Sequence, residues 1–162
     1  MSISAAPPPV LAFARVLSYA IVDNTVTFKA RRAPDVGGTE LGRVPRLALC
    51  QNIDELDTSI TLFHCDEEWN VLGASGIEPT LEDAKTHAEQ SYSGIAAKWV
   101  DTVSSEADAR RWLEEQFPAS LCSFCGRLPA EFETLFRGHK SGICDDCVRS
   151  FAVIVEERAS SD

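Results

Sequence analysis

Four cysteines carry the clearest chemistry in this chain. They stand as Cys122-Ser123-Phe124-Cys125 and Cys144-Asp145-Asp146-Cys147, with eighteen residues between the pairs. Two thiolates separated by two residues reach one metal from a tight knuckle, and two knuckles complete a tetrahedron. The predicted ligands are therefore Cys122, Cys125, Cys144 and Cys147, around one Zn2+ per chain. Four thiolates close the shell and leave no position for water or substrate, so the predicted role is structural. A redox-active C-x-x-C or a metal-free thiol cluster explains one pair, but two pairs at this separation favour zinc.

The other reactive residue types read as structure. Cys50 and Cys65 fall inside apolar runs, where free cysteine is commonly buried as a small hydrophobe. His64 precedes Cys65, but neighbouring residues of a strand point to opposite faces, so they are not a nucleophile and its base. His87 sits in a helical stretch beside acidic residues and reads as solvated. His139 lies between the two ligand pairs, yet the cysteines already fill the shell. Asp66-Glu67-Glu68 reads as a solvated acidic turn rather than a hard-metal site. Trp69, Trp99 and Trp112 read as core. No catalytic residue emerges, and a non-enzymatic protein is expected.

Composition narrows the partners. The formal charge is −10, and residues 61–118 hold four Lys/Arg against twelve Asp/Glu. The zinc segment, 119–162, holds five against seven. A nucleic-acid binder carries a basic footprint on its binding domain, so no nucleic acid is expected. No run approaches the ~20 apolar residues of a membrane span. Pro7-Pro8-Pro9 and the lack of a basic leader argue against a signal peptide. Six cysteines without an export signal point to metal binding in a reducing compartment, and the cytoplasm is the expected location.

The elements that must position the cysteines follow from hydrophobic period. A chain of 162 residues holds one ordinary domain, or a small one and a smaller one. Residues 1–8 read as a disordered tail. Val10–Val22 and Thr25–Arg31 read as a hairpin closed by Asp23-Asn24. Residues 33–45, with three glycines and two prolines, read as a loop. Arg46–Gln51, Ser59–Cys65 and Trp69–Ala74 complete an antiparallel meander. Thr80 then caps a helix whose stripe is Leu81, Ala84, Ala88, Tyr92 and Ile95, and Gly94 ends or bends it. Ser105 and Asp108 form a capping-box-like start to a second helix that Pro118 stops. The expected fold is α+β over residues 9–118, a meander packed by one or two helices. A C4 zinc finger with a C-terminal helix follows over 119–158. Within the finger, Ala130–Arg137 reads as a short helix stopped by Gly138, and Cys144–Cys147 opens the last helix.

Beyond the cysteines, Cys122-Ser-Phe-Cys-Gly126, Leu135-Phe-Arg-Gly138 and Ile143-Cys-Asp-Asp-Cys-Val148 resemble the C4 zinc finger of the ClpX unfoldase. The resemblance covers residues 120–158 and implies a small dimerising module that captures adaptors and some substrates for a proteolytic machine. In that family the finger precedes an ATPase, whereas here it closes the sequence. Gly138-His-Lys-Ser lacks Walker A spacing, so neither nucleotide nor unfoldase activity is expected. The residues before the third cysteine also differ from the family's. Leu62–Val71 followed by Leu81–Glu89 is similar to short uncharacterised bacterial proteins, some of them immunity-like.

The expected function is a zinc-stabilised protein-binding and dimerisation module, an adaptor or modulator of protein turnover. Ten large apolar residues between Phe124 and Val155 exceed what forty residues can enclose, so the excess packs on the N-terminal domain or on a second copy. The resemblance to the ClpX finger implies the second copy, a homodimer through the finger. The alternative is an immunity-like inhibitor whose acidic domain covers a basic toxin surface.

Overall fold

The computed structural model describes residues 6–29, 35–36, 39–53, 57–138 and 141–160. The residues expected to form the tail lie largely outside these, as do His139 and Lys140. The chain divides into two compact units, 1–109 and 110–162.

The first unit is an antiparallel sheet with a helix on it, an α+β arrangement. In chain order its strands are β1 (Val10–Leu11), β2 (Ala14–Ile21), β3 (Thr27–Phe28), β4 (Asp35–Val36), β5 (Thr39–Glu40), β6 (Arg46–Asn52), β7 (Ile60–Cys65) and β8 (Val71–Glu78). Helix α1 (Leu81–Ser91) follows, then β9 (Tyr92–Ser93), a 3-10 turn over Ile95–Lys98, and β10 (Val100–Asp101). The main sheet runs β1-β2-β6-β7-β8, with β10 on β2 beside β1.

The β6-β7-β8 meander forms where the apolar runs predict it. The first hairpin does not. The run from Val10 is broken at Ala12 and Phe13, whose φ of 46° and 63° fold β1 back on β2. Beyond β2, Asp23 accepts the Thr25 amide at 2.9 Å and Val26 donates to the Asp23 carbonyl at 3.1 Å. That turn carries β3 off the sheet to pair with β9, and β6 takes the edge of β2 instead. Part of the 33–45 stretch forms the small β4–β5 ribbon.

Helix α1 begins as its sequence dictates: Thr80 Oγ1 accepts the Asp83 amide at 3.1 Å, and Glu82 and Asp83 sit at the positive end of the helix dipole. Ala84, Ala88, Tyr92 and Ile95 bury one face against Leu47, Leu49 and other sheet residues. The opposite sheet face has its own core around Val16, Ala48, Cys50, Cys65 and Trp69. The helix ends at Ser91, and Gly94, at φ 95°, opens the 3-10 turn.

Helix α2 (Glu106–Gln116) has the expected reciprocal cap. The Ser105 amide donates to Asp108 Oδ2, and the Asp108 amide donates to Ser105 Oγ, each at 3.1 Å. Phe117 follows, and Pro118–Ser120 forms a 3-10 turn. The second unit continues with a 3-10 turn at Pro129–Glu131, β11 (Leu135–Arg137), β12 (Gly142–Cys144) and α3 (Asp145–Ala159).

Candidate metal centre

The first knuckle is built by backbone. The Cys122 amide donates to Arg127 O at 3.1 Å, and the Gly126 amide donates to Cys122 O at 2.9 Å. Gly126 has φ 72°, a left-handed conformation that glycine adopts without strain and that turns the chain back after Cys125.

The segment expected as a helix over Ala130–Arg137 is not one: it leaves a 3-10 turn, runs without regular structure over 132–134 and ends in the strand Leu135–Arg137. Pro129 starts a single 3-10 turn, closed where the Leu128 amide donates to Glu131 Oε2 at 2.7 Å. Asp145 then draws the chain out: its amide donates to Thr134 O at 3.0 Å, and its Oδ1 accepts the Thr134 amide at 3.2 Å. β11 thereby pairs with β12, Leu135 opposite Cys144. Gly138 does not stop a helix; its amide donates to Ser141 O at 2.7 Å and closes the β11–β12 turn.

This hairpin delivers the second ligand pair beside the first. Cys144 ends β12 and occupies the N-cap position of α3, and Cys147 lies in the helix's first turn. The Ser123 amide donates to Gly142 O at 2.8 Å, and the Gly142 amide to Ser123 Oγ at 3.1 Å, fastening knuckle to hairpin. Arg127 pairs with Asp146, and Arg149 reaches both Asp145 and Asp146.

The four sulfur atoms all lie within 4.8 Å of one another. Cys122 and Cys147 are 3.8 Å apart, and Cys125 and Cys144 are 3.7 Å apart. A tetrahedron with Zn–S bonds of about 2.3 Å has edges of roughly 3.8 Å, so the sulfurs stand at a spacing that accommodates zinc and well beyond the roughly 2.05 Å of a disulfide. Among the described residues this is the only cluster of metal-ligating side chains. The Cys144 amide donates to Cys122 Sγ at 3.3 Å. Burial opposes ionisation of Cys122, but the amides of Cys125, Cys144 and Phe124 outweigh it and hold the thiol down to about 6. Burial and the neighbouring thiols push Cys147 up to about 12, and burial raises Cys125. Cys122 thus favours the thiolate that a cation would meet first, and metal binding would release the remaining thiol protons to water. The donor set, its spacing and its amide donors fit one structural Zn2+.

The remaining candidates fall elsewhere. Cys50 and Cys65 are buried in the first unit's core, where burial raises the Cys50 thiol and pushes Cys65 up to about 12. His64 faces the other way. Its Nδ1 lies 3.4 Å from Tyr92 Oη, and its Nε2 lies 2.8 Å from Ser75 Oγ. His87 is not solvated: its Nδ1 pairs with Glu78 Oε1 at 3.1 Å, and its side chain is only 12% exposed. Asp66 organises its own turn, accepting the amides of Glu68 at 2.8 Å and Asn70 at 2.9 Å. The His64–Tyr92 contact escaped sequence reasoning because its partners lie 28 residues apart.

The second unit is thus a C4 zinc-thiolate module whose metal joins a backbone knuckle to a hairpin and helix. Residues 120–157 match the family model of the ClpX C4-type zinc finger. The sheet unit lies outside that match. Among curated proteins and among solved structures, nothing matches the chain. Among the described residues, no helix is long and apolar enough to cross a membrane.

Proposed function

We propose that this is a non-enzymatic, zinc-stabilised protein-binding module that pairs with a second copy through its finger and serves as an adaptor or modulator of protein turnover in the cytoplasm. One observation carries the reading. Helix α3 has no buried residue, and its apolar side chains stand in solvent, with Val148 37%, Phe151 41% and Val155 66% exposed. These three recur at helical spacing along one stripe. Phe124 of the knuckle meets Phe151 edge-on at 5.2 Å and extends the stripe toward the metal. A soluble surface rarely leaves so contiguous an apolar face uncovered, and a two-fold axis lets one stripe cover its own copy. The match to the ClpX finger supports a protein as the partner. The closed thiolate shell supports a structural rather than catalytic metal.

Light scattering of the zinc-loaded full chain tests the pairing. The expected mass is that of two chains, falling to one in Phe151→Asp with its zinc retained. A single-chain mass for the unaltered protein at tens of micromolar contradicts it.

A further inference from the structure

The polar face of α1 is one wall of a groove. Glu82, Thr86, Glu89 and Gln90, at i, i+4, i+7 and i+8, share the side of the helix away from the buried Ala84 and Ala88. The opposite wall is the 3-10 turn, which brings Ala96 and Trp99 alongside. The Glu89 carboxylate holds that wall in place, accepting the amides of Gly94 at 2.6 Å and Ala96 at 2.9 Å. The groove is open to solvent and holds about 420 Å³, within the roughly 300–1,000 Å³ range of ligand pockets.

The lining defines its occupant. Trp99 packs on the core and is partly exposed, but its indole nitrogen is fully covered. What it offers the groove is therefore ring hydrocarbon and π surface, not a donor. Among the described residues the Glu82 side chain has no hydrogen-bond or ion-pair partner, and the Glu89 carboxylate accepts only the two backbone amides. The cation on the lining, Lys85, is held at 2.9 Å by Asp101. An aromatic surface rimmed by carboxylates attracts a planar, weakly hydrated cation.

We propose that this groove is a docking site for an exposed arginine of a basic protein partner, its guanidinium against Trp99 and within reach of Glu82. The −10 charge of the chain, concentrated in residues 61–118, steers such a partner toward this unit. The site depends on neither the zinc nor the pairing of fingers, so it stands or falls separately from the function proposed above.

The test is an NMR titration of the zinc-loaded, 15N-labelled full chain with acetyl-Ala-Ala-Arg-Ala-Ala-amide, and with the same peptide carrying citrulline. The Trp99 indole signal, identified with Trp99→Phe, and the Glu82–Gln90 amides are expected to move, with a Kd in the millimolar range and roughly two- to fivefold weaker binding of citrulline. Glu82→Lys, at an exposed position whose side chain has no partner among the described residues, is expected to abolish the arginine preference while leaving the other amide positions in place. Equal shifts with both peptides, shifts that map elsewhere, an arginine preference that survives Glu82→Lys, or no shift at about 10 mM peptide overturns the proposal.

Discussion

The sulfur of Cys122 stands 3.8 Å from that of Cys147, although their thiols titrate far apart, at about 6 and about 12. Backbone amides aim at the first, while burial and neighbouring sulfurs oppose ionisation of the second. A metal that binds both as thiolates must displace the proton of Cys147, and that of Cys125 as well. Zinc affinity therefore falls as pH falls. Each displaced proton changes affinity about tenfold per pH unit, so the loss below neutrality is about tenfold per unit for every thiol the metal deprotonates. Competition with a chromophoric chelator between about pH 6.5 and 8.5 measures the slope. A pH-independent affinity contradicts the assignment.

The buried imidazole of His64 predicts an acid limit in the first unit. Burial, helped by nearby His87, lowers its pKa from 6.5 to about 4. The folded state thus binds its proton later than the unfolded state. Stability is intact above about pH 6.5 and declines as pH falls toward 4, by roughly 3 kcal/mol if the full shift is realised. Urea titrations of the unaltered chain and of His64→Gln at matched pH isolate this contribution, because other acid effects are common to both. The variant is expected to start less stable and to show a shallower slope between pH 6.5 and 4.

Gly76 cannot be exchanged freely. It lies at φ 68° in a bulge of β8, and a Cβ there would meet His87 Nε2 at 3.1 Å. Gly76→Ala is expected to cost about 1–3 kcal/mol from the left-handed backbone and the displaced imidazole together. In a double-mutant cycle, His87→Ala should recover the imidazole part and leave the backbone part. Complete recovery, or none, contradicts this division.

What could be read from the sequence was local. C-x-x-C spacing, the Thr80 cap and the Ser105–Asp108 box are set by residues within a few positions of one another, and the structure realises each geometry. Asp23-Asn24 signalled a turn correctly, but a turn does not say which strand pairs next. Phe28 lies opposite Tyr92, 64 residues away in sequence, rather than opposite β2. Likewise Ala130–Arg137 reads as a short helix on local signals alone. The Asp145–Thr134 bonds that extend the segment depend on the second ligand pair being in place. His87 looked solvated because its neighbours in sequence are charged, whereas the residue that meets it, Glu78, ends a strand.

The central claim is that Cys122, Cys125, Cys144 and Cys147 together hold one structural zinc. Elemental analysis of the purified full chain beside Cys144→Ser, read with circular dichroism, tests it most directly. The expected result is one zinc per unaltered chain. The variant should retain no stoichiometric zinc and should lose helix signal from the second unit while the first keeps its sheet. A Cys144→Ser protein that still carries one zinc per chain, or an unaltered chain that folds fully without any, would contradict the account.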